Sequence, residues 1–362
     1  VSESYVRSVR DAARDAWRIY RKIAPVVRSL DDGTLEEMGI PENAVECARL
    51  SYDAVPETVV ARFDFLVTPE GPKMIELNAE TPFFYWESFE ISGAIAEALG
   101  LRDPNLHAVA SLENALVTAI QACSRGGRVV VTAFTGDDDD EMAAAYATRV
   151  LRNANVPAEF TPLRDLEAVP GDGLYDSQGR IDVLYRFYPL ELFAQDRGGN
   201  ALFGLLLDDK VRVINPPCAL LLQNKCVQVL IWGLYEHGEV FDEEERAIIS
   251  RVFLPTYAEL PDDGYDYVRK PVLGREGDSV AVISRSSGMC TSENTKYAHQ
   301  PMVFQRRVSP PRVSYEHPKS GQTEGFAVTT CFITGGEPSA VGMRVGAEVT
   351  DRYAHFLPLA YV

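Results

Sequence analysis

A chain of 362 residues with 53 acidic and 35 basic side chains carries a net charge of −18. That balance argues against broad nucleic-acid binding, which needs a basic footprint, and no window approaches the length of a membrane span. The ordinary globular composition, 46% hydrophobic, supports two or three domains or one large composite enzyme fold.

Residues 3–28 read as an amphipathic helix with Arg and Asp on its polar side, and the start of the chain lacks a signal-peptide core, so a cytoplasmic protein is expected. Next come two runs with the period of two that strands require: Arg62-Phe63-Asp64-Phe65 and Ile75-Glu76-Leu77-Asn78, separated by the turn residues Pro69-Glu70-Gly71-Pro72. Gathering the four apolar residues on one face pairs Phe65 with Ile75 and Phe63 with Leu77, across a loop with an odd number of residues. Asp64 then stands opposite Glu76, and Arg62 opposite Asn78. Facing carboxylates repel, so something positive must lie between them. Two readings stand: a hard oxygen-ligand set for Mg²⁺ shared with phosphates, or an internal salt bridge from Arg62 on a sheet face.

Further helices are expected near 88–99 and 107–124. Arg128–Phe134 is a buried-strand run, and the acidic stretch Asp137–Glu141 opens a helix to about Asn153. Acidic residues there complement the helix dipole, or hold a cationic substrate. Strands at 181–186 and 211–214, alternating with helices, indicate an α/β layer. Asn215-Pro216-Pro217 breaks the chain before a helix expected from about Leu220 and carrying Lys225. After about 262 strands dominate: 267–270, 279–284, 301–308, 325–333 and 340–345. The resulting division is 1–125 (helices plus hairpin), 126–260 (α/β layer) and 261–362 (β-rich lobe), all within one composite catalytic unit.

Only seven lysines occur, at 22, 73, 210, 225, 270, 296 and 319, so an acidic protein that handles phosphate must concentrate its cations. In Arg269-Lys270-Pro271-Val272-Leu273-Gly274-Arg275-Glu276-Gly277 a strand delivers Lys270, and two glycines bracket Arg275. Glycine-rich turns let backbone N–H groups approach phosphate while Lys and Arg neutralise it; a hairpin with exposed cations has the same pattern. Met302-Val303-Phe304-Gln305 reads as a strand leading to a hinge where an amide reads adenine, or as a plain strand end. Arg344, in Gly342-Met343-Arg344, adds a cation on a late strand. The six cysteines and five histidines show no metal-ligand spacing, and buried, reduced thiols are expected.

In order, Arg62-Phe-Asp64-Phe, Glu76-Leu-Asn78-Ala-Glu-Thr-Pro, Tyr188-Pro-Leu-Glu191, Asn215-Pro-Pro217, Asn224-Lys225, the 269–277 segment and Val341-Gly-Met-Arg344 resemble the glutathionylspermidine synthase family, specifically its synthetase domain. The resemblance covers nearly the whole chain, and a synthetase without an accompanying amidase segment is expected. It implies a mixed α/β (α+β) fold of ATP-grasp type, with nucleotide between two lobes and a β-rich C-terminal lobe. It further implies an ATP-dependent carboxylate–amine ligase acting on small molecules through an acyl phosphate. Asp64, Glu76 and Asn78 would ligate two Mg²⁺ ions on ATP. Lys225, Lys270 and Gln305 would contact the nucleotide, and Arg275 would ride a lid formed with Gly274 and Gly277. Arg62 and Arg344 would face the transferred phosphoryl group or the carboxylate, Asp140 and Glu141 the amine, and Thr81 and Phe83 the acyl substrate. Two departures stand out. Phe83-Phe84-Tyr85-Trp86 replaces small or polar residues, either reshaping the acyl pocket or packing on the following helix, and Cys218 replaces tryptophan. They turn the expectation from glutathione and spermidine towards other amino-acid or peptide substrates, with a non-catalytic nucleotide-binding protein as the remaining alternative.

Overall fold

The computed structural model describes residues 1–286, 288–291, 294–317 and 319–362. The first helix, Glu3–Arg28, is capped by Ser2, whose hydroxyl accepts from the Tyr5 N–H at 3.1 Å. It buries Val6, Val9, Ala13, Trp17, Tyr20, Ile23 and Val27 along one stripe at helical spacing. That stripe lies on the sheet containing the expected hairpin.

That sheet is antiparallel, in the order His355–Phe356, Glu337–Gly346, Gly321–Thr334, Val60–Thr68, Gly71–Asn78, with Arg312–His317 pairing to the outer half of Gly321–Thr334. The hairpin register pairs Arg62 with Asn78, Phe63 with Leu77 and Asp64 with Glu76, as expected from alternation. Beyond Asp64 it differs: Phe65 faces Met74, not Ile75. The turn holds only Pro69 and Glu70 between the strands. A loop with an even residue count, combined with the Asp64–Glu76 pairing, requires one extra residue, and Ile75 is the bulge that supplies it.

A second antiparallel sheet runs Gly288–Thr291, Ala281–Ser284, Tyr267–Pro271, Met302–Arg306, Thr256–Tyr257. The strand-rich stretch after 262 therefore feeds two sheets. The third sheet is the α/β layer, with parallel strands Ala158–Phe160, Arg128–Thr132, Gly179–Arg186 and Arg212–Ile214 and an antiparallel extension through Gly173–Asp176 to Glu167–Val169. Helices Ala108–Cys123 and Asp138–Asn153 pack on its apolar face.

Asn215, at the end of the α/β layer, ties that layer to the hairpin. Its Oδ1 accepts from the Val59 and Val60 N–H groups at 2.8 and 3.0 Å. Its Nδ2 donates to the carbonyls of Val60, Ala79 and Glu80 at 2.8–3.0 Å. Lys225 does not lie within a helix begun near Leu220. Helix Ala219–Gln223 ends before it, and Lys225 caps the next helix, Cys226–His237. The cause is Asn224, whose Oδ1 accepts from the Cys226 N–H at 2.8 Å and whose Nδ2 donates to the Met38 carbonyl at 2.8 Å, a local alternative to helix hydrogen bonding. Cys47, Cys123, Cys218, Cys226 and Cys331 are free thiols, while the Cys290 side chain lies outside the described residues. Among the described residues no helix is long and apolar enough to cross a membrane.

Candidate active site

The first two sheets and the start of helix Asp138–Asn153 enclose a cavity of about 440 Å³. Of the residues singled out by sequence, Arg62, Asp64, Glu76, Asn78, Thr81, Phe83, Asp140, Lys225, Lys270, Gly274, Arg275, Gly277, Gln305 and Arg344 all line it. Glu141 does not. It is exposed, accepts from the Gly136 N–H at 2.9 Å and lines a separate outer groove with Arg149 and Arg152. One residue further along the helix turns its side chain away from Asp140.

The hairpin's polar face is fully engaged. Arg62 grips Asp64 through two parallel hydrogen bonds of 2.7 and 2.9 Å, and Arg344 donates to the same carboxylate at 2.8 Å. Asp64 has no exposed surface. Lys225 lies 3.5 Å from Glu76 and donates to the Gly274 carbonyl at 2.9 Å. Lys270 donates to the bulge carbonyl of Ile75 at 3.2 Å and to Gln305 Oε1 at 2.8 Å. Gln305 in turn donates to Gln228 at 2.7 Å, so its side-chain amide orients Lys270 and is not left free for a base. Burial works to raise the Glu76 carboxyl, but Lys225, Lys270 and Arg62 outweigh it and hold it well below the usual carboxylate range. Burial also lowers the Lys270 ammonium to about 8, with Glu76 opposing and Lys225 adding to the shift.

Another part of the lining is acidic. Asp137, Asp139 and Asp140 sit at the start of helix Asp138–Asn153, with Glu87 and Glu276 also on the lining. Burial, then repulsion from Asp137, Asp139 and Glu276, raises Asp140 to about 7 against the pull of Arg275. Burial, with Asp139 adding, raises Glu87 as well. A carboxyl raised by acidic neighbours in this way suits a cation as its partner.

The segment Val272–Ser279 closes one side. A Cβ on Gly277, whose φ is +67°, would fall 2.4 Å from the Thr350 carbonyl oxygen, and one on Gly274 would fall 2.2 Å from Pro271. Both glycines are sterically required. Arg275 reaches across to ion-pair with buried Glu191. Glu191 belongs to the matching Tyr188–Glu191 segment, and a carboxylate between Leu190 and Phe193 at a helix start is a local signal of buried charge. The fully buried Glu80–Arg186 pair, 2.7 Å apart, is illegible in the sequence, because no local pattern relates two charges so far apart in the chain. Burial raises Glu80 to about 7, opposed by Arg186 and reinforced by Glu191.

Among the described residues no group of three His, Cys, Asp or Glu side chains is arranged to hold a metal. Asp64, Glu76 and the Asn78 amide do suit a hard cation, but Arg62, Arg344, Lys225 and Lys270 surround them. This donor set fits a divalent ion that arrives with a polyphosphate, since a bare cation would meet a face already neutralised. Apolar side chains of Leu66, Ile75, Val268 and Val282 from two sheets, with Leu254 and Val280 from the adjoining loops, line the same cavity, a suitable slot for a flat base.

Residues 1–361 match the family model described as glutathionylspermidine synthase preATP-grasp. The bifunctional glutathionylspermidine synthetase/amidase of Escherichia coli is 24% identical over 339 residues, covering 87% of this chain and 51% of that protein. A Haemophilus influenzae protein, named as a candidate acid–amine ligase, is 25% identical over 188 residues, covering 50% of this chain and 42% of its own. The chain thus spans about half the length of the curated relatives it matches. Among solved structures, a glutathione synthetase-like effector from Globodera pallida, in its apo form, aligns with a TM-score of 0.61 at 12% identity, covering 100% of this chain and 88% of the other. The fold is of ATP-grasp type.

Proposed function

The chain belongs to the glutathionylspermidine synthase preATP-grasp family, and from that premise we propose that it is an ATP-dependent ligase joining a small-molecule carboxylate to an amine. The observation that carries this reading is the mixed lining of one cavity: cations around the hairpin oxygens, and Asp140 raised by its acidic neighbours on the same lining. The cations suit a metal-bound triphosphate beside a carboxylate, and the acids suit an ammonium group.

In the proposed reaction a carboxylate oxygen attacks the γ-phosphorus of ATP, the bond to the β-phosphate bridging oxygen breaks, and ADP leaves. The amine then attacks the acyl carbon, inorganic phosphate departs and the amine's surplus proton is removed. Arg62 and Arg344 draw two anions together by offsetting their repulsion, and Lys225 and Lys270 bind the phosphates. Asp64, Glu76 and Asn78 would hold Mg²⁺, which supplies charge neutralisation on the phosphoryl oxygens; we assign two ions to the site. Gly274, Arg275 and Gly277 cover the phosphates, while Thr81 and Phe83 border the acyl substrate. A free alkyl amine has a pKa of about 10, so Asp140 receives it as ammonium and takes up its proton.

ADP release over a panel of carboxylates and amines, with mass spectrometry of the product, tests the proposal. Glu76→Gln should abolish turnover. No turnover with any pair, together with ATP binding that survives Glu76→Gln, would favour a non-catalytic nucleotide-binding protein.

A further inference from the structure

The four aromatics after the hairpin do different jobs. The Phe83 ring lies 6.1 Å from that of Phe187, and Tyr85 is buried with its hydroxyl 2.8 Å from that of Tyr185. Trp86 stands 38% exposed at the cavity rim. Phe84 is the anomaly, because its φ is +81°, a left-handed conformation that bulky residues rarely adopt and that surrounding structure must enforce.

What enforces it is visible. The Phe84 ring stands edge-on to Phe356 at 5.4 Å and lies 6.0 Å from the Arg344 guanidinium. It also needs Gly342, where a Cβ would come within 2.7 Å of Phe84 Cε1. The same virtual atom would lie 2.5 Å from Ser88 Oγ and 3.0 Å from Thr330 Oγ1. Both hydroxyls are fully buried and make no hydrogen bond among the described residues. Buried polar groups are ordinarily satisfied. A strained aromatic beside two unsatisfied hydroxyls therefore opposes local packing preference twice in one place.

We infer that Phe84 is a specificity-determining residue. Its ring closes the acyl-donor end of the cavity beside Arg344 and restricts the donor to compact carboxylic acids, of single amino-acid rather than peptide size. The inference rests on the ligase reading, in which Arg344 faces the carboxylate. A donor extended beyond its reacting carboxylate meets the ring, and a smaller residue at 84 opens the space leading to the Ser88 and Thr330 hydroxyls, which then serve as hydrogen-bonding partners for that extension.

The test compares wild type with Phe84→Gly, Phe84→Leu and Phe84→Trp. Glycine suits the positive φ, and leucine keeps an apolar side chain if the glycine variant folds poorly. Donors are glutamate, γ-glutamylcysteine and glutathione, supplied with Mg-ATP and a mixed amine pool. Phe84→Gly and Phe84→Leu should raise the ratio of tripeptide to amino-acid kcat/KM at least about tenfold, the scale on which one apolar contact discriminates substrates. Phe84→Trp should leave the ranking as in wild type. Calorimetric affinities for the same donors, measured with a non-hydrolysable ATP analogue, should shift in the same order without turnover. An unchanged ratio in folded variants, by either measurement, overturns the inference. Shifted affinities without ADP release from any pair would overturn the ligase reading and leave the size gate standing.

Discussion

Lys270 and Asp140 both line the cavity, and both are shifted to where an assay can see them titrate. Burial brings the Lys270 ammonium down to about 8, so the free enzyme loses that charge as pH rises through this value. The kcat/KM for ATP should therefore fall above pH 8, and Lys270→Arg should flatten that limb because a guanidinium stays charged. Asp140 shifts the other way, raised to about 7 by burial and its acidic neighbours. Its native state holds a proton that the unfolded chain has already released, so the stability it contributes is complete at low pH and is lost as pH rises through 7. Asp140→Asn should accordingly raise the melting temperature at pH 8 and change it little at pH 4, a comparison that calorimetric scans at both values make directly. The same substitution should raise the KM for the amine.

The hairpin shows how far alternation alone reaches. Arg62, Phe63 and Asp64 found their partners because period two leaves one register in which the phenylalanines share a face. The bulge at Ile75 escaped because side-chain alternation along one strand does not record how many residues the partner supplies. Lys225 lines the cavity as expected of its segment, but its place between two helices depends on Asn224 competing for backbone partners. The joint between the α/β layer and the hairpin was equally hidden, because Asn215 reaches residues some 135 to 156 positions away. Asn215→Ala would strand several buried backbone groups at about 1–3 kcal/mol each. We predict a loss of at least about 3 kcal/mol in urea denaturation, where a value below about 1 kcal/mol would show that the joint relaxes around the gap.

At the scale of the molecule, the first hairpin and the last long strands share one sheet, so neither end of the chain builds the cavity alone. Composition along the chain located the strands, but chain order does not state which sheet each joins, and Gly321–Thr334 pairs with a strand more than 250 residues earlier. Because the cavity is lined from two sheets and from the first turn of helix Asp138–Asn153, a ligand that fills it should resist the separation of all three elements. A ligand bound only by the native state stabilises it by about 2.7 kcal/mol at a hundredfold excess over Kd. Mg-ATP should therefore raise the melting temperature by several degrees. Chelating the metal should remove part of that rise, added Mg²⁺ should restore it, and Glu76→Gln should abolish the metal-dependent part. An equal rise with and without metal would remove Mg²⁺ from the site.

Asp64 is claimed by two arginines at once, and this arrangement has a kinetic consequence. While Arg344 is held by Asp64 it presents a weaker welcome to an incoming carboxylate. On the proposed reading, Asp64 would hold the nucleotide's Mg²⁺, and its carboxylate would then no longer hold Arg344. The reactants should then follow a compulsory sequence, nucleotide first and carboxylate second, so that the pocket for the acid is completed by the partner that will activate it. A dead-end carboxylate analogue should be uncompetitive against ATP, whereas random addition would make it noncompetitive. In Asp64→Asn the compulsion should weaken, because Arg344 no longer waits on an exchange of counter-charges.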